Sequence, residues 1–237
     1  MSKIFKDYFI KENINISELQ LNNFLKYKDL LLEWNEKINL TAILEDKEIF
    51  YKHFIDSLLI LKLDKLNFEG KSIIDVGTGA GFPGLPLAIM IKELNVTLSD
   101  SLNKRMEFLK RVGKELDLSN LCFLEGRAED LGKNILYREK YDYSVARAVS
   151  RMPVLLEYTL PFVKKEGFVI AYKGPEFEEE LKDSKNALEI LGGRVENVYN
   201  FKINEFSMER NIILIKKVQV TPEKYPRRPG VPAKKPL

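Results

Sequence analysis

Four glycines within eight residues, set between an apolar strand and an apolar helix, leave this chain few folds to choose from. Ser72–Val76 reads as a short buried strand, and Gly77, Gly79, Gly81 and Gly84 follow it directly. Pro83 stands where a helix would begin, and Leu85–Leu94 supply the apolar helix. Strand, glycine turn and helix N-terminus in that order form the nucleotide-binding loop of a parallel α/β sheet. Glycine serves there because the chain turns sharply and its backbone must lie against the ligand.

Two cofactors compete for such a loop. Gly79-x-Gly81-x-x-Gly84 fits the dinucleotide pattern, which would make the chain a nicotinamide-dependent oxidoreductase. Against this, the strand ends before Gly77, the acidic Asp75 sits just ahead of the first glycine, and no Tyr-x-x-x-Lys proton donor is evident. Asp75-x-Gly77-x-Gly79-x-Gly81 resembles motif I of the class I S-adenosylmethionine-dependent methyltransferases. In that arrangement Gly79 meets the ligand through its backbone, and a branched side chain there would block contact.

The rest of the chain fits an α/β sheet. Phe24, Tyr27, Leu31, Trp34 and Ile38 step by three and four on one helical stripe, and residues 1–68 read as a helical N-terminal cap sharing the core. Residues 69–220 form the main domain. Strands are predicted at 72–76, 95–99, 121–125, 142–146 and 167–172 with helices between them, which makes a mostly parallel sheet. Residues 176–191 read as a helix. Arg194–Lys202 and Asn211–Val218 lie too close together for a crossover and are predicted as antiparallel neighbours. Five parallel strands with a terminal antiparallel hairpin is the class I methyltransferase topology.

Net charge is +3, but it is unevenly spread. Thr221–Leu237 carries five cations against the single Glu223, together with five prolines. It is expected to be an extended tail that binds RNA phosphates through Arg227, Arg228, Lys234 and Lys235. A lone cysteine, Cys122, excludes an intrachain disulfide and a cysteine-based zinc cluster, and no metal is expected. Cys122 is read as a small buried hydrophobe in its strand. The N-terminus lacks the apolar core of a signal peptide and no run is long enough to span a membrane, so a cytoplasmic protein is expected.

The chemistry should gather at the carboxyl ends of the strands. Asp100 ends the second strand, where a carboxylate can accept hydrogen bonds from ribose hydroxyls. The alternative is an N-cap for the helix predicted over 102–116, but the glycine loop ahead of Asp100 at the right spacing favours the ligand. That helix's basic face of Lys104, Lys110, Arg111 and Lys114 reads as solvated. Glu125–Asp130 follows the third strand; Ala128 there leaves room for an adenine and Glu129 offers a polar contact. His53 and Asp56 are spaced to touch on one helix. The fourth strand ends in Arg147, with no Asn/Asp-Pro-Pro-Tyr motif and no nucleophilic cysteine beside it. A site with neither base nor nucleophile suits transfer to a ring nitrogen such as guanine N7. Its free lone pair attacks directly, and there is no proton to remove.

Several segments together carry a closer resemblance: His53-Phe-Ile-Asp-Ser57, Asp75–Gly84, Gly126-Arg-Ala-Glu129, Val145-Ala-Arg-Ala148, Lys173-Gly174 and Tyr225–Leu237. Over essentially its whole length the chain resembles the bacterial RsmG (GidB) family of small-subunit ribosomal RNA methyltransferases. The resemblance implies methylation of N7 of one guanosine in the decoding-region loop of 16S rRNA, with S-adenosyl-L-methionine as cofactor. The partner would be 16S rRNA or the small ribosomal subunit, met by a monomer. It places cofactor contacts at Gly77, Phe82, Ala128, Glu129 and Arg147, with Asp100 at the ribose position by class I analogy. Arg147 would meet the cofactor carboxylate or an RNA phosphate, or else form a simple ion pair. A non-enzymatic ribosome-binding protein with a vestigial loop remains the further alternative.

Overall fold

The computed structural model describes residues 2–237. Helices α1 (Ser2–Lys11) and α2 (Glu18–Ile38) open the chain. Ser17 starts α2 with a capping box: its hydroxyl accepts from Gln20 N–H, and the Gln20 side chain accepts from Ser17 N–H. Asn39, in the left-handed region at φ 47°, ends the helix. One winding stretch then comprises α3 (Asp46–Glu48), a π-helical turn (Ile49–Ile55) and α4 (Asp56–Leu58).

Seven strands form one sheet in the order β3-β2-β1-β4-β5-β7-β6. They are β1 (Ser72–Val76), β2 (Asn95–Asp100), β3 (Leu121–Glu125), β4 (Tyr141–Arg147), β5 (Val163–Lys173), β6 (Gly193–Ile203) and β7 (Met208–Lys217). The first five run parallel, and β7 is antiparallel to both β5 and β6. This is the mostly parallel class I methyltransferase sheet with its terminal antiparallel hairpin. Helices α5 (Gly84–Met90), α6 (Asn103–Glu115), α7 (Ala128–Leu131), α8 (Met152–Thr159), α9 (Phe177–Asp183) and α10 (Lys185–Leu191) connect the strands. The single helix expected over 176–191 is two, interrupted at Ser184.

Side-chain alternation divides the core between the two faces of the sheet. Ile73, Val145, Ile170 and Leu214 point to one face, where the cap supplies Phe24, Tyr27 and Phe54. Ala146, Val169, Ala171, Ile213 and Ile215 point to the other, under α8 and α10. Tyr27 is wholly buried, and its hydroxyl donates to the Ala80 carbonyl, so the cap grips the glycine turn directly.

Two expectations need correction. Cys122 is exposed, because β3 is an edge strand of the sheet and its flanks lack full cover. The C-terminal segment is docked rather than extended. Lys217, buried at the end of β7, donates to the Leu160 carbonyl and to Thr221. Beyond it Tyr225 packs with the α8–α10 core, and the short helix α11 (Val231–Lys234) follows.

Candidate functional site

The sheet order reverses between β1 and β4, and the loops after these strands open a crevice there. Gly77 leaves β1 at φ +70°, and a Cβ on it would sit 3.1 Å from Val149. Gly79, at φ +60°, has open space around it, and its N–H donates to Asp100 Oδ2 at 3.0 Å. Beneath the turn, fully buried Asp75 accepts from Thr78 Oγ1 at 2.6 Å and Gly84 N–H at 2.8 Å, both at Oδ2. Its Oδ1 is buried without a partner. Burial raises the Asp75 carboxyl to about 6, against the lowering effect of those two bonds. Asp75 therefore holds the turn from inside rather than meeting a ligand.

Two cavities adjoin along the crevice. The first, about 430 Å³, is lined by Gly77, Asp100, Ala128, Glu129, Val149 and Tyr158 among others. Three donors already converge on Asp100: Gly79 N–H, Leu102 N–H at 3.0 Å and Arg105 Nη1 at 3.2 Å. It thus ties the glycine turn to the start of α6 while still facing the cavity. Glu129 is 5% exposed and accepts from Gly230 N–H at 2.9 Å. Backbone curvature at glycine, two carboxylates and apolar walls suit a nucleoside-sized ligand with hydroxyl and amine donors.

The second cavity, about 550 Å³, shares Ala148 and Val149 with the first. Ala148 stands at φ +56°, a conformation that costs a residue with a side chain on the order of 1 kcal/mol and clusters at functional sites. Arg147 lies in this second cavity, not the first. Its Nη1 donates to Asp56 Oδ2 at 2.7 Å and to the Lys52 carbonyl at 3.1 Å, so the ion-pair alternative describes its contacts here. Arg210 Nε takes the other Asp56 oxygen at 2.6 Å. Asp56 is fully buried between the two guanidiniums, which offsets the cost of its desolvation.

Phe82 also lies away from the first cavity, 6% exposed beneath His53 and Arg147. The His53 ring stacks on it at 4.5 Å and the Arg147 guanidinium lies 5.0 Å from its centroid. His53 does not bond Asp56. Its Nδ1 faces Arg147 Nη2 at 3.4 Å and its Nε2 meets Thr41 Oγ1 at 2.8 Å. A guanidinium only donates, so Nδ1 accepts and Nε2 carries the proton. Burial, with Arg147 nearby, lowers His53 to about 3. On the far wall Lys173 donates to the Ser150 carbonyl at 2.7 Å and to Glu180 at 2.6 Å.

Of the tail cations, Arg227 is engaged: its guanidinium pairs with buried Glu157, with Nη2 to Oε2 at 2.6 Å. In this structure Arg227 is thus held by Glu157 rather than standing free in solvent. Arg228, Lys234 and Lys235 are exposed. Sequence reasoning missed Asp56, Arg210 and Glu157 as partners. The pairs Arg147–Asp56, Arg210–Asp56 and Arg227–Glu157 span 91, 154 and 70 residues of chain, and no local spacing signals them. Among the described residues, no group of three or more His, Cys, Asp or Glu side chains could hold a metal ion, and no helix is long and apolar enough to cross a membrane.

Comparison with known proteins bears on this geometry. The family model described as GidB, rRNA small subunit methyltransferase G, matches residues 20–213. The chain is 49% identical over 234 residues to ribosomal RNA small subunit methyltransferase G of Alkaliphilus metalliredigens, covering 99% of this chain and 98% of that protein. It is 48% identical over 225 residues to the protein of that name from Clostridium botulinum strain 657, covering 95% and 94%. Among solved structures, it resembles M. jannaschii TYW2 in complex with AdoMet at TM-score 0.56 and 14% identity, covering 75% of this chain and 80% of that one. Aeropyrum pernix fibrillarin with natively bound S-adenosyl-L-methionine aligns at TM-score 0.52 and 17% identity, covering 68% and 73%. These two likenesses speak to the fold alone.

Proposed function

The chain belongs to the GidB family of rRNA small subunit methyltransferase G proteins, and on that premise we propose that it methylates N7 of one guanosine in the decoding-region loop of 16S rRNA. It is an S-adenosylmethionine-dependent methyltransferase, and the cofactor supplies an electrophilic methyl group on sulfur. The observation that carries the site assignment is the pair of cavities meeting at Ala148–Val149. A cofactor in the first and a base in the second would bring methyl and ring nitrogen together across that shared wall, and such alignment is the main demand of a direct transfer.

The residues of the first cavity fit the cofactor. Asp100 can accept from ribose hydroxyls, Ala128 and Glu129 border space for adenine, and Gly77 gives way where a side chain would press on Val149. Arg147 acts from the second cavity, and Phe82, which lines neither cavity, supports its wall from beneath by stacking under His53 and the Arg147 guanidinium. The cations Lys52, Arg147, Arg151, Lys173 and Arg210 line the second cavity and are paired with four carboxylates, Glu48, Asp56, Glu180 and Asp183, so one positive charge remains in excess for an anionic polynucleotide. No side chain needs to take a proton. Guanine N7 presents a lone pair, and His53 is neutral with both nitrogens engaged.

The parallel-sheet nicotinamide reading is not favoured: β7 enters the sheet antiparallel to β5, and the relatives are methyltransferases. The deciding experiment is methyl transfer from labelled S-adenosylmethionine to 16S rRNA and to small subunits, with the product mapped by nucleoside analysis. Labelled 7-methylguanosine at one decoding-loop position is the expected result. In single turnover the rate should stay nearly flat between about pH 6.5 and 8, since His53 does not titrate there. Label on another base, or none, would sink the proposal. Sedimentation of the active protein as one chain would support a monomer.

A further inference from the structure

Residues 221–237 reach the first cavity with an order that prolines and cations alone do not impose. Arg138 clamps the segment's entry by donating to the carbonyls of Thr221 at 2.6 Å and Tyr225 at 2.8 Å. Tyr225 is then buried against the core. Next, Glu157 on α8, with no exposure, takes Arg227 three ways: backbone N–H at 2.7 Å, Nε at 2.9 Å and Nη2 at 2.6 Å. A buried carboxylate in a guanidinium fork fixes orientation as well as position. Three residues later the Gly230 N–H meets Glu129, and Gly230 and Ala233 join the lining of the first cavity. Tyr158, beside Glu157 in sequence, lines the same cavity, so α8 presents one residue to the strap and the next to the ligand space.

We propose that this C-terminal strap is part of the cofactor-binding site. Gly230 orients the Glu129 carboxylate and Ala233 closes the cavity over the bound cofactor, with Glu157 and Arg227 as positioning residues that set the strap's register. The proposal rests on the reading of the first cavity as the S-adenosylmethionine site. It assigns to the segment a role in the cofactor site that its composition, basic and proline-rich, does not suggest.

The test uses S-adenosylhomocysteine and the full-length chain. Calorimetry would compare the parent with Ala233→Phe, which fills the cavity from the strap side, and Glu157→Gln, which removes the charge that holds Arg227. Ala233→Phe should weaken binding about ten-fold or more, equivalent to at least roughly 1.4 kcal/mol. Its melting temperature should stay within about 3 °C of the parent, since the side chain enters open space. Glu157→Gln, which touches no cofactor, should weaken binding several-fold and speed amide exchange over 227–235. In the parent, the ligand should slow exchange over the same residues, because linkage is reciprocal. If Ala233→Phe binds like the parent, or the ligand leaves exchange over 227–235 unchanged, the strap is not part of the site. If the parent itself binds no S-adenosylhomocysteine, the cofactor reading falls and the strap falls with it. Should Glu157→Gln fail to fold, Ala233→Phe and the exchange measurement decide the matter.

Discussion

Asp75 carries two duties that conflict. Its Oδ2 holds Thr78 and Gly84 beneath the glycine turn, yet full burial with an unpartnered Oδ1 raises its carboxyl from 3.8 to about 6. A carboxyl raised on folding contributes stability that is complete below its unfolded value of 3.8 and is lost as pH rises through about 6. The loss is on the order of 3 kcal/mol at neutral pH for a group this buried. Urea unfolding from pH 4.5 to 7.5 should therefore show the parent losing about 2 kcal/mol relative to Asp75→Asn, the part of that difference lying above pH 4.5. Parallel pH profiles for the two proteins would remove Asp75 as the source. At this scale the sequence was readable wherever a role depends on near neighbours. Asp75 precedes its glycines by two residues, and Asp100 closes the next strand. Asp56 was not readable, because its arginines come from β4 and from β7, and only the assembled sheet brings them together.

Elements were legible to the extent that their pattern is periodic. The glycine turn, the β-α alternation and the terminal hairpin all follow from local spacing, and β1 and β3 fall on the expected residues. The strap was not legible. Five prolines and five cations describe a solvated, extended segment, and its order comes from groups that lie elsewhere: Arg138, buried Glu157 and Glu129. Removing one partner of such a pair leaves a bare buried charge, which costs about 3 kcal/mol or more. Arg227→Ala should accordingly lower the denaturant midpoint clearly at neutral pH, and the double variant with Glu157→Gln should recover part of the loss. A single variant as stable as the parent would show that the pair does not hold the strap. Burial of Cys122 was misjudged for a related reason. The apolar run Leu121–Leu124 gives no sign that its strand lies at the sheet's edge.

For the molecule as a whole, both the N-terminal cap and the C-terminal strap reach the crevice. The cap reaches it through Tyr27 at the glycine turn, and the strap through Gly230 and Ala233. Arg228, Lys234 and Lys235 are exposed along the strap, beside the first cavity, which Gly230 and Ala233 line. Phosphate contacts from these three would make RNA affinity depend on salt, each adding roughly 0.7 to the logarithmic slope for a single-stranded loop. Replacing all three by glutamine should flatten the slope by up to about 2 in filter-binding titrations with 16S rRNA. An unchanged slope would place the RNA contacts elsewhere, with the second cavity's cations the next to test. Finally, the edge position of β3 gives the chain's one thiol, Cys122, an accessible place outside both cavities. A maleimide dye would label this protein at a single known point without any engineered cysteine. Energy transfer from that point to a fluorophore on the RNA would then report how the ribosomal substrate is oriented on the enzyme.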